Sequence, residues 1–406
     1  MLDRTREILK ELNAQVPRRL VGVDRLTYQD RLVSRLPDED KEALMITVDS
    51  LAGATIEKAA SDIDMGGGGC AGRVWYRVHG RKTPDESVGL FQPDETNLLL
   101  LSMLMERQKE LLFKHRNLDF SWAISVEGRQ VRFRGDMYFD LNNLALNMRL
   151  IANTIRPFKS LGLHPTVARA LSLEHNKQGL TLVTGVTGSG KSTTLDSIVD
   201  ANNSTVEGHI VIIGWPIETV HDSKRCIVRH REVGRDVMSF KEGAVQALRQ
   251  DPDIIIIGEM RDADTIDTAL EITDSGHKVF STLHTASAVE SIDRIIGESP
   301  PEEQDRIRNR LADTLTCVIS QKLVPALQGK LVLAKEVMLA TTSVRAAIKN
   351  NNTGEIYQMI NEGSGHGMVT MEQDLKRLCS ERIISRDEAM NFANNKKRME
   401  ELLQVP

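Results

Sequence analysis

Residues 181–195 read TLVTGVTGSGKSTTL, an apolar, β-branched run that breaks into Gly185-Val186-Thr187-Gly188-Ser189-Gly190-Lys191-Ser192-Thr193. This is the G-x-x-x-x-G-K-[ST] pattern with nothing missing. Each part answers a phosphate charge. The glycines let successive backbone N–H groups turn toward an anion, and a helix opening at Lys191 adds its positive end. The ammonium reaches the β- and γ-phosphates, and the Ser192 hydroxyl can ligate Mg²⁺. A chance match in a flexible turn is the plain alternative. Context argues against it, because a strand-like run, Leu180–Val183, precedes the loop and a helical pattern, Ser192–Asp200, follows. The chain is expected to bind a nucleotide on an α/β framework.

The surrounding pattern extends that framework. Beyond the loop, strands are expected at His209–Ile213, Ile254–Ile257 and Lys278–Thr282, and helices at Val237–Arg249 and Asp264–Ser275. Short Ile/Val strands bounded by helices indicate a mostly parallel sheet buried on both faces. At 406 residues the chain is longer than one ordinary domain. Four segments are expected: a helical N-terminal extension (1–55), a small α+β domain (56–157), the nucleotide-binding core (158–300) and a helical C-terminal region (301–406). In the second segment helical periodicity falls on Asp85–Lys109 and Asn142–Arg156, and strands on Phe120–Ser125 and Gln130–Phe139. A helix at His164–Leu173 follows the boundary near 157, where a linker would let the two halves move. The run Gly66–Gly69 is a loop without the lysine that a second phosphate site needs.

Composition narrows the function classes. Apolar residues make up 40% and charged ones 27%, and the net charge is −5, which argues against nucleic-acid binding through overall charge. Cys70, Cys226, Cys317 and Cys379 form no C-x-x-C pair, so neither a zinc ribbon nor a disulfide framework is suggested, and a reducing compartment suits them. The charged start MLDRTREILKELN does not read as a signal peptide. The apolar run Leu98–Met105 is too short to span a bilayer. Work at a membrane is expected from the cytoplasmic side, with partners.

Downstream of the phosphate loop come Pro216-Ile217-Glu218-Thr219-Val220-His221, then Arg231-Glu232-Val233-Gly234-Arg235-Asp236. After these follow Ala247-Leu248-Arg249-Gln250-Asp251-Pro252-Asp253, the run Ile254–Ile257, Gly258-Glu259-Met260-Arg261-Asp262, Ser275-Gly276-His277 and Ser281-Thr282-Leu283-His284-Thr285. In this order and spacing the motifs resemble the type II/IV secretion and type IV pilus ATPase superfamily, and within it the twitching-motility retraction ATPases. The resemblance implies a homohexameric motor hydrolysing ATP with Mg²⁺. Each subunit would carry an N-terminal PAS-like domain and a RecA-like P-loop domain, with ATP between them. It also implies work at the cytoplasmic face of the inner membrane, with a pilus or secretion platform protein and related motor ATPases as partners. A type IV secretion or conjugation motor, or a non-hydrolysing accessory ring subunit, are the competing readings. No nucleic-acid partner is expected.

Residue roles divide between chemistry and resemblance. Glu259 ends a four-isoleucine strand, where ligands of open α/β sheets sit, and can hold Mg²⁺ through water; it could instead be a strand-end partner of Arg261. The family pattern implies that Glu218 serves the attacking water, against a plain solvated loop charge. By resemblance His277 and His284 sense the γ-phosphate or couple hydrolysis to motion, against the plain alternative of satisfied polar histidines. Phosphoryl transfer needs positive charge around that group. Arg231, Arg235 and Arg249 match family arginines, and Arg132 and Arg134 match those of the N-terminal domain that close over ATP, with surface salt bridging as the plain alternative.

Three features depart from the family pattern or sort within it. Pilus assembly and type II secretion ATPases usually carry paired C-x-x-C zinc motifs, and their lack here favours the retraction branch. Gly214-Trp215 stands where the family normally has Glu-Asp. Finally, Ser343-Val344-Arg345-Ala346-Ala347-Ile348-Lys349-Asn350 only loosely resembles the A-I-R-N-L-I-R-E box linked to retraction.

Overall fold

The computed structural model describes residues 2–151 and 155–404. The chain divides into two compact units, Met1–Asn153 and Thr154–Pro406.

The first unit opens with α1 (Leu2–Gln15), α2 (Gly22–Ser34) and α3 (Asp38–Glu57). Then come β1 (Ala60–Gly66), β2 (Trp75–Val78), β3 (Arg81–Pro84), α4 (Pro93–Ser102) and α5 (Glu106–His115). The unit closes with β4 (Asn117–Val126), β5 (Arg129–Asp140) and β6 (Asn143–Leu150). The six strands form one antiparallel sheet in the order β3-β2-β1-β6-β5-β4. The helices expected over 1–55 pack onto this unit through residues 2–55. Their apolar stripe needs a partner, and Leu9, Leu26 and Leu44 are fully buried in the same core as Phe133 and Leu146 of the sheet.

Two expected helices change here. Over 142–156 the chain forms β6, whose Leu144, Leu146 and Met148 alternate into the core while β1 and β5 satisfy its backbone on both sides; residues 152–154 of that span lie outside the described residues. Over 85–109 helix begins only at Pro93, the favoured first helical position, with Gln92 and Glu95 forming a capping box.

The second unit carries α6 (Pro165–Leu171), β7 (Gly179–Thr184), α7 (Lys191–Thr205), β8 (Gly208–Gly214) and β9 (Cys226–Glu232). Next are α8 (Phe240–Ala247), β10 (Ile254–Ile257), α9 (Ala263–Asp274), β11 (Lys278–Leu283), α10 (Ala288–Gly297) and α11 (Gln304–Thr314). Last come β12 (Leu315–Pro325), β13 (Leu331–Leu339), α12 (Thr342–Lys349), α13 (Ile356–Glu362), α14 (Met371–Ser380), α15 (Arg386–Phe392) and α16 (Lys396–Gln404). The sheet order is β13-β12-β7-β11-β10-β8-β9, with β12 through β9 parallel and β13 antiparallel at one edge.

Residues 301–406 are thus not wholly helical. β12 and β13 extend the sheet beyond β7, because a run such as Cys317-Val318-Ile319, buried on both faces, has the length and branching of a central strand. The later helices α14–α16 surround a smaller core of their own that includes Met371, Leu375 and Met399. All four isoleucines of β10 are at most 2% exposed, each burial being worth about 1.5–3 kcal/mol, so the centre of the sheet is a rigid base for whatever its ends carry. Among the described residues no helix is long and apolar enough to cross a membrane.

Candidate nucleotide-binding site

The carboxyl ends of β7, β8, β10 and β11 are in register, with Ile213, Ile257 and Ser281 abreast and Thr184 beside Leu283. The loop from Gly185 to Gly190 rises from this edge and α7 begins at Lys191. Two glycines are required by shape. At Gly185, with φ +147°, a Cβ would come within 2.4 Å of the Gln321 carbonyl oxygen. Gly190, with φ +87°, caps α7 in the left-handed region.

The loop is curled around its own lysine. Lys191 Nζ donates to the carbonyls of Gly185 at 2.8 Å and Val186 at 3.2 Å. Burial lowers its pKa, and the charges of Glu259 and Glu218 pull the other way. Gln321 of β12 braces the loop, donating through Nε2 to the Ser189 carbonyl at 2.9 Å. Thr184 and Ser320 join the same two strands through their hydroxyls at 2.8 Å. The Ser189 hydroxyl is buried with no hydrogen-bond partner among the described residues. An inward-turned ammonium, a partnerless buried hydroxyl and a helix N-terminus form a set of groups that an anion would satisfy. Val186, Thr187, Gly188 and Ser192 are exposed and Thr193 is half-buried.

Glu259 emerges two residues past β10. Arg261 Nε donates to its Oε2 at 2.8 Å and His284 Nε2 lies 3.4 Å from its Oε1. The strand-end ion pair foreseen as the plain alternative therefore exists, at the same edge as the phosphate loop. The Arg261 guanidinium also sits over the Trp215 ring, 5.3 Å from its centroid. His284, just past β11, has its pKa lowered by burial first and then by Lys191, so it is neutral near pH 7. Glu218 lies in the segment between β8 and β9, close enough for its charge to act on Lys191. Glu218, Glu259, His284 and the loop Gly185–Thr193 are thus brought together.

Other predicted residues are not. His277 precedes β11, and its carbonyl accepts from the Gly179 N–H at the start of β7; a strand's length, about 20 Å, separates it from the phosphate loop. The imidazole accordingly meets Ser275 and the Ile272 carbonyl instead. Arg249 follows α8, which returns the chain to the same far edge, so it too is remote from the loop of its own chain. Both positions have one cause: the residues flanking a strand or helix look alike in sequence, but only one flank faces the phosphate loop of the same chain. Arg231 and Arg235 are at the correct edge but on or just past β9, four strands or about 19 Å from β7. Arg231 donates to the Asp236 carbonyl and to Gln246, while Arg235 is exposed. Arg132 and Arg134 lie on β5 of the first unit, where Arg134 approaches Asp119 at 3.6 Å.

Comparisons with known proteins give the chain a family. The family model described as Type II/IV secretion system protein matches residues 37–399. The chain is 38% identical to the type IV pilus retraction ATPase PilT of Pseudomonas aeruginosa over 74% of its own length and 85% of that protein's. It is 32% identical to the type IV pilus ATPase PilU of the same organism over 84% and 87% of the two chains. A crystal structure of the pilus retraction motor PilT with bound ADP superposes with a TM-score of 0.77 at 36% identity, covering 87% of this chain and 99% of that one.

Proposed function

This chain belongs to the Type II/IV secretion system protein family, and we propose that it is a motor ATPase whose hydrolysis of ATP drives retraction of a type IV pilus. The observation that carries the reading is the meeting, at one end of a parallel sheet, of an intact phosphate loop and two carboxylates whose charges act on its lysine. Identity of 38% to a protein named as a retraction ATPase supports the direction of work, as does the lack of C-x-x-C pairs.

The loop amides and the N-terminus of α7 receive the triphosphate, and Lys191 exchanges two neutral carbonyls for charged phosphate oxygens. Ser192 and, through water, Glu259 would hold Mg²⁺, which when bound offsets the charge that develops on the transferring group. Glu218 orients or deprotonates the attacking water. His284, uncharged and touching Glu259, can report on the γ-phosphate through that contact. Arg231 and Arg235, too far to serve the loop of their own chain, are assigned to a neighbouring subunit's nucleotide, and Arg132 and Arg134 to closing over ATP. This division of labour calls for a ring, taken as a homohexamer, working with an inner-membrane platform protein and related motor ATPases at the cytoplasmic face.

The test is ATP turnover by the purified Lys191→Ala variant. We expect a loss of about 10²-fold or more, with a melting temperature within a few degrees of the parent, since the removed bonds lie within one loop. Turnover at the parent rate would exclude the assignment.

A further inference from the structure

Glu218 stands on a segment outside the sheet, and a carboxylate there is only as well placed as its neighbours hold it. On one side the Ile217 N–H donates to Glu232 Oε2 of β9 at 3.2 Å. On the other, two residues reach one carboxylate: Thr219 Oγ1 donates to Asp196 Oδ2 at 2.8 Å, and His221 Nε2 lies 3.1 Å from Asp196 Oδ1. His221 is itself immobilised. It is 3% exposed, its ring is parallel to that of His230 with centroids 6.2 Å apart, and its backbone N–H donates to His230 Nε2 at 3.0 Å.

Asp196 belongs to α7, four residues past Ser192, so the two project from the same face of the helix that opens the phosphate site. The residues one and three beyond Glu218 are therefore tied to the element that carries Lys191. Each oxygen of Asp196 takes a different residue of the segment, which fixes both its height and its rotation above α7.

We infer that Asp196 is a positioning residue, holding Thr219 and His221 so that Glu218 keeps its place over the phosphate loop. This rests on the assignment of Glu218 to the attacking water. Asp196 does not enter the chemistry; it governs the hydrolytic step through Glu218 and leaves nucleotide capture to the loop. A purely structural role would lower stability without caring what stands at 218.

The experiment measures kcat, mant-ADP affinity and melting temperature for full-length Asp196→Ala, Asp196→Asn, Glu218→Gln and the Asp196→Ala/Glu218→Gln double variant. Glu218→Gln should lose about 10²-fold in kcat. Asp196→Ala should lose about tenfold in kcat with mant-ADP affinity within about twofold. Asp196→Asn, which keeps an acceptor for Thr219, should recover most of the rate. In the Glu218→Gln background Asp196→Ala should cost nothing further, because both changes act on one group. If Asp196→Ala fails to fold, Thr219→Val breaks one of the two ties and should show a smaller loss with the same non-additivity. Parent turnover in the Asp196 or Thr219 variants, or an undiminished loss on top of Glu218→Gln, would overturn the inference while leaving Glu218 in its role. Parent turnover in Glu218→Gln would remove that role and the inference with it.

Discussion

Trp215 shows how one residue can redirect a site. It is 39% exposed, and the stacked Arg261 guanidinium contributes about 0.5–1 kcal/mol at such a position while its Nε holds Glu259. Any Mg²⁺-bound water must compete with that guanidinium for the carboxylate. An acid at 215 would draw Arg261 away, and one at 214 would add negative charge beside the cation. The Cβ of a residue at 214 meets Ile217 Cδ1 at 2.8 Å, the far end of a flexible side chain that can shift. The Gly214→Glu/Trp215→Asp variant should therefore lower the Mg²⁺ midpoint of turnover by about 3- to 10-fold, the scale of one modest interaction, and raise the rate. A Mg²⁺ titration with parent midpoint and parent rate would leave these two residues without catalytic consequence. The phosphate loop and the place of Glu259 could be read from the residues because their chemistry is local to strand ends, whereas Glu218 and His284 are singled out by the family resemblance. Asp196 and Gln321 could not, since each acts through a partner far along the chain, and no spacing announces that Gln321 braces Ser189.

At the scale of elements, the strands that match their sequence reading are β4 and β5 of the first unit and, with apolar runs bounded by turn residues, β7, β8, β10 and β11. β6 and β12 were masked by a real ambiguity: short apolar runs fit a buried helix as well as a strand until a neighbour claims their backbone. β13 carries a consequence of that rearrangement. Its Glu336 is 2% exposed and accepts from the Ala288 N–H at the start of α10 at 2.8 Å. Burial, and then the neighbouring Glu372, push its pKa up to about 7, against the pull of the Ala288 and Met371 N–H groups and of Lys322. The folded state thus binds a proton that the unfolded chain, with an ordinary carboxyl near 4.5, releases earlier. The associated stability is present at low pH and is lost as pH rises through about 7. Glu336→Gln keeps the acceptor and discards the charge. Its melting temperature should fall less than the parent's between about pH 5.5 and pH 8.5, and parallel profiles would exclude Glu336 as the source.

For the whole molecule the decisive feature is the distance between the phosphate loop and Arg231 and Arg235 of its own chain. With Arg231 and Arg235 about 19 Å from β7 across the sheet, and Arg261 at the loop's edge engaged by Glu259, the proposed function leaves the positive surround that phosphoryl transfer needs to be completed from outside the chain. A neighbouring copy can supply it, and this can be decided by mixing subunits. Lys191→Ala subunits keep their arginines but have a disabled loop; Arg235→Ala subunits have an intact loop and lack the arginine. Each homogeneous preparation should be nearly inactive, since an arginine serving the transferring phosphate is worth about 10³-fold or more. In mixed rings an intact loop of one kind comes to lie beside Arg235 of the other, and a competent site is rebuilt wherever the two meet in the right order. Turnover should therefore rise well above either parent preparation on mixing under conditions that allow subunit exchange. If Arg235 served its own chain, no subunit in any mixture would hold both groups, and the mixture would stay as inactive as its parts.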